Sequence, residues 1–356
     1  MNNKPKILST LQDAIEKSAL ELVDIDENGN FDADLLRHRL EEVIEASKND
    51  CEAHSLEFYK TTSKTTLPQI RSDTLGFEER NFERWKPAFD HLEMMWCVAQ
   101  ELGSANGHEF DRDADDDTQL VMAALANIFP KALLVTNEII CLLKGGFPDG
   151  ALARWRVLHE LTVTAMYILQ EGREPATAYM LSFHFAARRA ALLLNRHAEQ
   201  AGLQKFSDEA LKDFDKRCDD AKRILGREIK GDKDGEWPRI NSKHRDFAAI
   251  EKHVGMDHWR PRYSWASKHT HADHRPSDTL LGLSESEDYM NLVGASNSGL
   301  SDPFMMTAIS LSQVVHAYLI VTPNLDRQVH ASVMLKLADE MSAIAIETKE
   351  ESWKSH

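Results

Sequence analysis

The sequence predicts an all-α fold, a multi-helix bundle with an N-terminal helical hairpin and a C-terminal helix. Apolar residues recur at helical spacing in segment after segment, and no stretch shows sustained apolar–polar alternation bounded by turn residues. Hydrophobic residues make up 42% of the chain and charged residues 28%, so there is enough apolar material to bury a core and no long region with the composition of a disordered one.

The elements follow in order. Ile7 to Val23 and Leu35 to Tyr59 pair across the Asp24 to Asn30 turn, the second of them carrying Leu36, Leu40, Val43 and Ile44 on one face. Thr61 to Thr74 is rich in Thr and Ser and lacks a pattern, which marks it as a linker and makes residues 1–75 an N-terminal piece. Residues 76–323 form the helical core. Its helices are expected over Glu78 to Leu102, Thr118 to Lys144 with a bend at Pro130, Ala151 to Gln170, Pro175 to Ala201, Ser207 to Lys230, Asn241 to Val254, Tyr263 to His271 and Asp302 to Val321. Residues 324–356 carry the C-terminal helix, Leu325 to Glu350, for eleven or twelve helices in all.

The chain is expected in the cytoplasm, with no membrane partner. Its N-terminus has no apolar run of the kind a secretory signal needs. The two most apolar stretches, Ala132 to Leu143 and Met305 to Val321, fall short of the roughly 20 residues that cross a bilayer. Cys51, Cys97, Cys141 and Cys218 lie too far apart for a CxxC motif and read as reduced thiols.

A formal charge of −16 repels nucleic acid at long range, so the distribution of charge matters more than its total. Arg239 to Arg275 holds eight Lys and Arg against four Asp and Glu, with six of the sixteen histidines. Acid is concentrated elsewhere, notably in Glu109 to Asp117. There Asp111, Asp113 and Asp115 match the opening of a calcium loop, but Asp116 replaces the turn glycine and Met122 the closing glutamate, so a solvated turn is expected.

Within the basic stretch, His269-Thr-His-Ala-Asp-His274 resembles the HxHxDH motif of the metallo-β-lactamase family, whose histidines and aspartate hold two metals. The context differs. Arg262 to Lys268 lacks a strand's apolar run and too little chain follows for that fold. The residue types still permit a metal site without it, in which His269, His271, Asp273 and His274 bind zinc or manganese for a phosphohydrolase reaction.

A second pattern is Arg262 followed seven positions later by His269, which resembles the Arg-x(4–6)-His motif of the HEPN superfamily of helical ribonucleases and toxins. Four such pairs occur in the chain: Arg84/His91, Arg154/His159, Arg239/His244 and Arg262/His269. The last lies beside Tyr263 and Trp265, aromatic residues suited to stacking on bases. It departs from the usual HEPN form in having Tyr263 where a polar residue follows the arginine. The resemblance implies RNA cleavage without a metal, with His269 as general acid and base, Arg262 stabilising charge on phosphate, and a homodimeric assembly.

A third constellation follows Gly150. Arg156 and Glu160 stand four residues apart on one helix face with His159 beside them, an arrangement that by itself reads as an ordinary intrahelical ion pair. Together with His184, Arg188 and Arg189 and the Tyr263-x3-Ser267-x-His269-x-His271 segment, this helix resembles a bacterial family of helical proteins seen in mobile and phage-defence loci, over about Lys144 to Pro276. That resemblance implies that Arg156, Glu160 and His269 or His271 converge.

No Gly-rich phosphate loop and no GxSxG elbow is present. The leading expectation is a HEPN-like, metal-independent endoribonuclease or toxin of a defence system. Its catalytic set is His269, Arg262, Arg156 and Glu160, it uses no cofactor, and RNA is its substrate. The alternatives are the zinc- or manganese-dependent phosphohydrolase and a non-enzymatic helical sensor or interaction module with an unidentified protein partner.

Overall fold

The computed structural model describes residues 32–229, 234–270, 274, 276–286 and 290–354. Among them are nine α-helices, three short 3₁₀ turns and no strand, so the fold is the all-α bundle that the periodicity predicts. The first arm of the expected hairpin, Ile7 to Val23, lies outside the described residues. The chain divides into two compact units, residues 1–77 and 78–356, and the division falls inside helix α1, Ala33–His108.

In the first unit the described residues from Ala33 onward are helical throughout, which corrects the linker expected at Thr61 to Thr74. The hydroxyls that made the segment look irregular are satisfied inside the helix. Thr65 and Thr66 both donate to the Thr62 carbonyl, Thr74 donates to that of Ile70, and Gln69 bonds Asp73 one turn on. Back-bonding of this kind lets Ser and Thr ride on a helix surface.

The second unit is built around the closing part of α1, with Trp85, Phe89, Leu92 and Met95 fully buried. Helix α2, Asp116–Lys144, starts where the Asp115 carboxylate accepts from the backbone amides of Asp117 and Thr118. Those bonds, led by the Thr118 hydroxyl, hold the Asp115 carboxyl below its usual pKa, so the acidic loop serves as a helix cap. Helix α2 runs through the exposed Pro130 as one element. Among the described residues it is the one helix long and apolar enough, by length and composition, to cross a membrane, and its inward side chains belong to the core.

Helix α3, Pro148–Glu171, has its proline in the first turn, where a missing N–H costs nothing. It packs against α2 and against α8, Ser301–Leu319, and Trp155 anchors that second contact by donating to the Met306 carbonyl and Ser310 Oγ. Helices α4, Arg173–Ala201, and α5, Asp208–Leu225, pair with each other, while α9, Leu325–Lys354, lies along α8.

Two short helices complete the wall over α3: α6, Phe247–His253, and α7, Arg260–Ser267. Both differ from expectation at their ends. The helix expected from Asn241 begins only after Asp246, which caps Ala249, and the one expected over Tyr263 to His271 starts at Arg260, with Pro261 in its first turn, and ends at Ser267.

Candidate functional site

Helix α3 turns three polar residues, Arg156, His159 and Glu160, toward α6 and α7, because residues three and four apart share a helix face. The arginine and glutamate form the ion pair read from the sequence, Arg156 Nε lying 3.1 Å from Glu160 Oε1. The structure adds a third member. The Tyr263 hydroxyl on α7 donates to the same Glu160 oxygen at 2.6 Å, and the Arg156 guanidinium sits 4.8 Å from the centre of the Tyr263 ring. Burial, and then the Glu160 carboxylate, push the Tyr263 hydroxyl up to about 12, so it stays a neutral donor at physiological pH.

A second guanidinium, Arg260, lies 5.1 Å from the centre of the same ring. Arg260 is paired with Glu251 of α6, whose other oxygen accepts from His159 Nε2 at 2.7 Å. Side chains of His159 and Glu251 are 1% and 0% exposed, so the carboxylate meets a polar partner on each oxygen in the interior. His159 Nδ1 is buried with no hydrogen-bond partner.

At the other end of the cluster, Arg156 Nη1 reaches Thr270 Oγ1 at 3.5 Å, one residue past His269. The His269 imidazole is 6% exposed, with Nδ1 3.4 Å from Asp149 in the first turn of α3. Asp149 also accepts from the amides of Leu281 and Gly282, which fixes the loop over this end of the helix. The loop packs closely there: a Cβ on residue 282 would stand 2.6 Å from the Leu292 Cδ2 methyl, which would have to turn aside.

The predicted residues therefore part company. Arg156, Glu160 and the turn holding His269 come together, but Arg262 is held by Asp302 at the start of α8, with its side chain half exposed. The expected Arg262/His269 pair would share a face only if the helix continued, whereas α7 ends at Ser267 and the next turn carries His269 to Asp149. His274 is exposed, and His271 and Asp273 lie outside the described residues. Among the described residues no group of three or more His, Cys, Asp or Glu is arranged to hold a metal.

Four of the eight basic residues in the anticipated basic stretch are neutralised by carboxylates. Lys243 is paired with Glu171, Arg245 with Asp234, Arg260 with Glu251 and Arg262 with Asp302, the carboxylates coming mostly from other elements. Arg188 and Arg189 of α4 engage Asp215 and Glu236.

Sequence reasoning missed Glu251, Arg260 and Asp149. Glu251 had one visible signal, a carboxylate directly after Ile250 in an otherwise apolar turn; Asp149 reads as an ordinary acidic residue at a helix start. It also missed a second polar array at the C-terminal end of α3. There the Tyr167 hydroxyl lies 3.1 Å from His244 Nδ1, the His244 and His253 rings are 4.4 Å apart, and His253 and Lys243 both bond the Glu171 carboxylate. Burial, followed by the charges of Glu174 and Glu171, raises the Tyr167 hydroxyl to about 12.

No curated protein and no solved structure matches the chain. Residues 122–289, just under half of its length, match a family described as "Family of unknown function (DUF5677)", and that span contains both polar arrays on α3 together with the loop over Asp149.

Proposed function

We propose that this protein cleaves RNA without a metal ion, as a toxin or defence nuclease, at the junction of α3 and the turn after α7. The observation that carries the reading is the reach of Arg156 to Thr270, which sets a guanidinium beside the turn bearing His269 while Asp149 orients the imidazole from behind. In this reading His269 takes the proton of the ribose 2′-hydroxyl as its oxygen attacks phosphorus. The same imidazolium then returns the proton to the departing 5′-oxygen, leaving a 2′,3′-cyclic phosphate. Arg156 faces the charge growing on the phosphoryl oxygens, and Glu160 with Tyr263 holds the guanidinium in place. Arg262 is dropped from the catalytic set because Asp302 holds it elsewhere.

The test is cleavage of labelled RNA by purified protein in the presence of a chelator. Cleavage that survives the chelator and falls by roughly 10²-fold or more in His269→Ala supports the reading. Arg156→Ala is expected to lose activity as well, while Arg262→Ala retains it. Loss of cleavage with the chelator and its return with zinc or manganese favours the phosphohydrolase alternative.

One observation favours a non-enzymatic role: the charges of this cluster already satisfy one another, as in a network that only holds helices together. That reading predicts that His269→Ala and Arg156→Ala lower the melting temperature and leave growth arrest, if expression produces it, unchanged.

A further inference from the structure

We infer that the C-terminal end of α3 carries an acid-operated latch: the paired rings of His244 and His253 hold residues 242–253 against α3 at neutral pH and release them when both rings are protonated. The segment is fastened through Tyr167, Glu171 and Glu174. The Tyr167 hydroxyl of α3 lies 3.1 Å from His244 Nδ1, and Glu171, at the end of the same helix, bonds His253 Nε2 at 2.8 Å and Lys243 Nζ at 2.7 Å. Glu174, in the first turn of α4, accepts from the Ser242 amide at 3.0 Å. The two imidazole rings lie 4.4 Å apart, and each stands nearly perpendicular to the Tyr167 ring at 5.6 Å.

The two histidines respond differently to a proton. Tyr167 is fully buried, and among the described residues His244 Nδ1 is the hydrogen-bond partner of its hydroxyl. Burial keeps that hydroxyl protonated, so it donates, Nδ1 accepts, and His244 carries its proton on Nε2. A proton added at Nδ1 makes the ring a donor as well, and the hydroxyl hydrogen must then turn into the interior without an acceptor. His253 bonds a carboxylate, which balances one positive ring. A second positive ring 4.4 Å away repels the first.

The surrounding charges leave that repulsion in place. Lys243, and after it His253, holds the Glu171 carboxyl below the usual carboxylate range, so this one group already serves two partners. Arg245 turns to Asp234, Asp246 caps α6, and Lys252 is exposed. With both rings charged, the carboxylates of Glu171 and Glu174 face three cations, the third being Lys243. Release would travel, because α6 has only seven residues: His253 ends the helix on which Glu251 holds His159 and Arg260. Any effect on cleavage rests on the function proposed above; the release itself does not.

Hydrogen exchange of the full chain, corrected for the intrinsic pH dependence of exchange, tests this. Amides of residues 242–253 are expected to lose protection at least about tenfold between about pH 7.5 and about pH 5, where imidazoles gain protons, while those of α2 change less than about threefold. His244→Asn offers Oδ1 as an acceptor in place of Nδ1, and His253→Gln still donates to Glu171; each leaves a single ring to charge and is expected to hold the loss below about threefold. His258→Gln, at an exposed histidine outside the pair, is expected to behave as native protein does. Protection that stays constant across the range, that is lost equally in α2, or that is lost to the native extent in either His244→Asn or His253→Gln overturns the proposal. None of these outcomes depends on whether RNA is cleaved.

Discussion

Tyr263 joins more of the α3 cluster than any residue singled out by spacing alone. Its hydroxyl fixes Glu160 and two guanidiniums, Arg156 and Arg260, lie 4.8 and 5.1 Å from its ring centre, each attracted to the π electrons. Its titration gives a signed expectation. Tyr263 and Tyr167 hold their protons to about 12 when folded, against about 10 in an unfolded chain. Stability from these two residues is full below about pH 10 and declines as pH rises toward 12, because only the unfolded state releases protons there. Melting temperature followed across that range is expected to fall, and Tyr263→Phe to flatten the fall; an equally steep decline in the variant refutes the assignment. At this scale the sequence was partly legible. The Arg156/Glu160 pair follows from a four-residue spacing on one helix. Arg262 pairs with Asp302 and His269 lies against Asp149; the seven-residue spacing between them has meaning only on a continuous helix, and α7 stops at Ser267.

At the scale of elements, Glu251 holds α6 to α3 and α7 together, since one carboxylate serves His159 of the first and Arg260 of the second. Glu251→Ala leaves His159 and Arg260 without their partner, and the expected loss is about 3–5 kcal/mol in chemical denaturation. A loss below about 1 kcal/mol would show that α6 and α7 are held by their apolar contacts alone. Helix α8 carries a half-buried histidine, His316, whose pKa burial depresses and whose Nδ1 is buried with no hydrogen-bond partner. With the folded value below the unfolded one, its contribution is present above about pH 6.5 and is lost as the solution is acidified, when only the unfolded chain gains the proton. His316→Leu is expected to reduce the drop in melting temperature between neutral and mildly acidic pH. The element that misled sequence reading was Thr61 to Thr74, where side-chain hydroxyls bonded to preceding carbonyls keep a helix going through residues that usually favour breaks.

On the scale of the whole molecule, net charge bears directly on the proposed chemistry. A chain at −16 attracts RNA only over a short range, so cleavage, if present, is expected to weaken when salt is raised from low to physiological levels. An activity indifferent to salt would speak against a phosphate-facing Arg156. The sequence also shows a nearly charge-free run from Thr118 to Leu143, interrupted by Lys131 and Glu138. Which half of that run faces outward was not visible, since both helix faces are apolar.

By itself the sequence determined the all-α class and most helix positions, because apolar periodicity and end signals are written in neighbouring residues. Only the tertiary structure decided which charges meet. Tyr263 finds Glu160 across 103 positions, His159 finds Glu251 across 92, and Arg262 finds Asp302 across 40. A carboxylate and a cation carry no local mark of their partner; the pairing follows from how helices pack and from the cost of leaving either charge unpaired as they do.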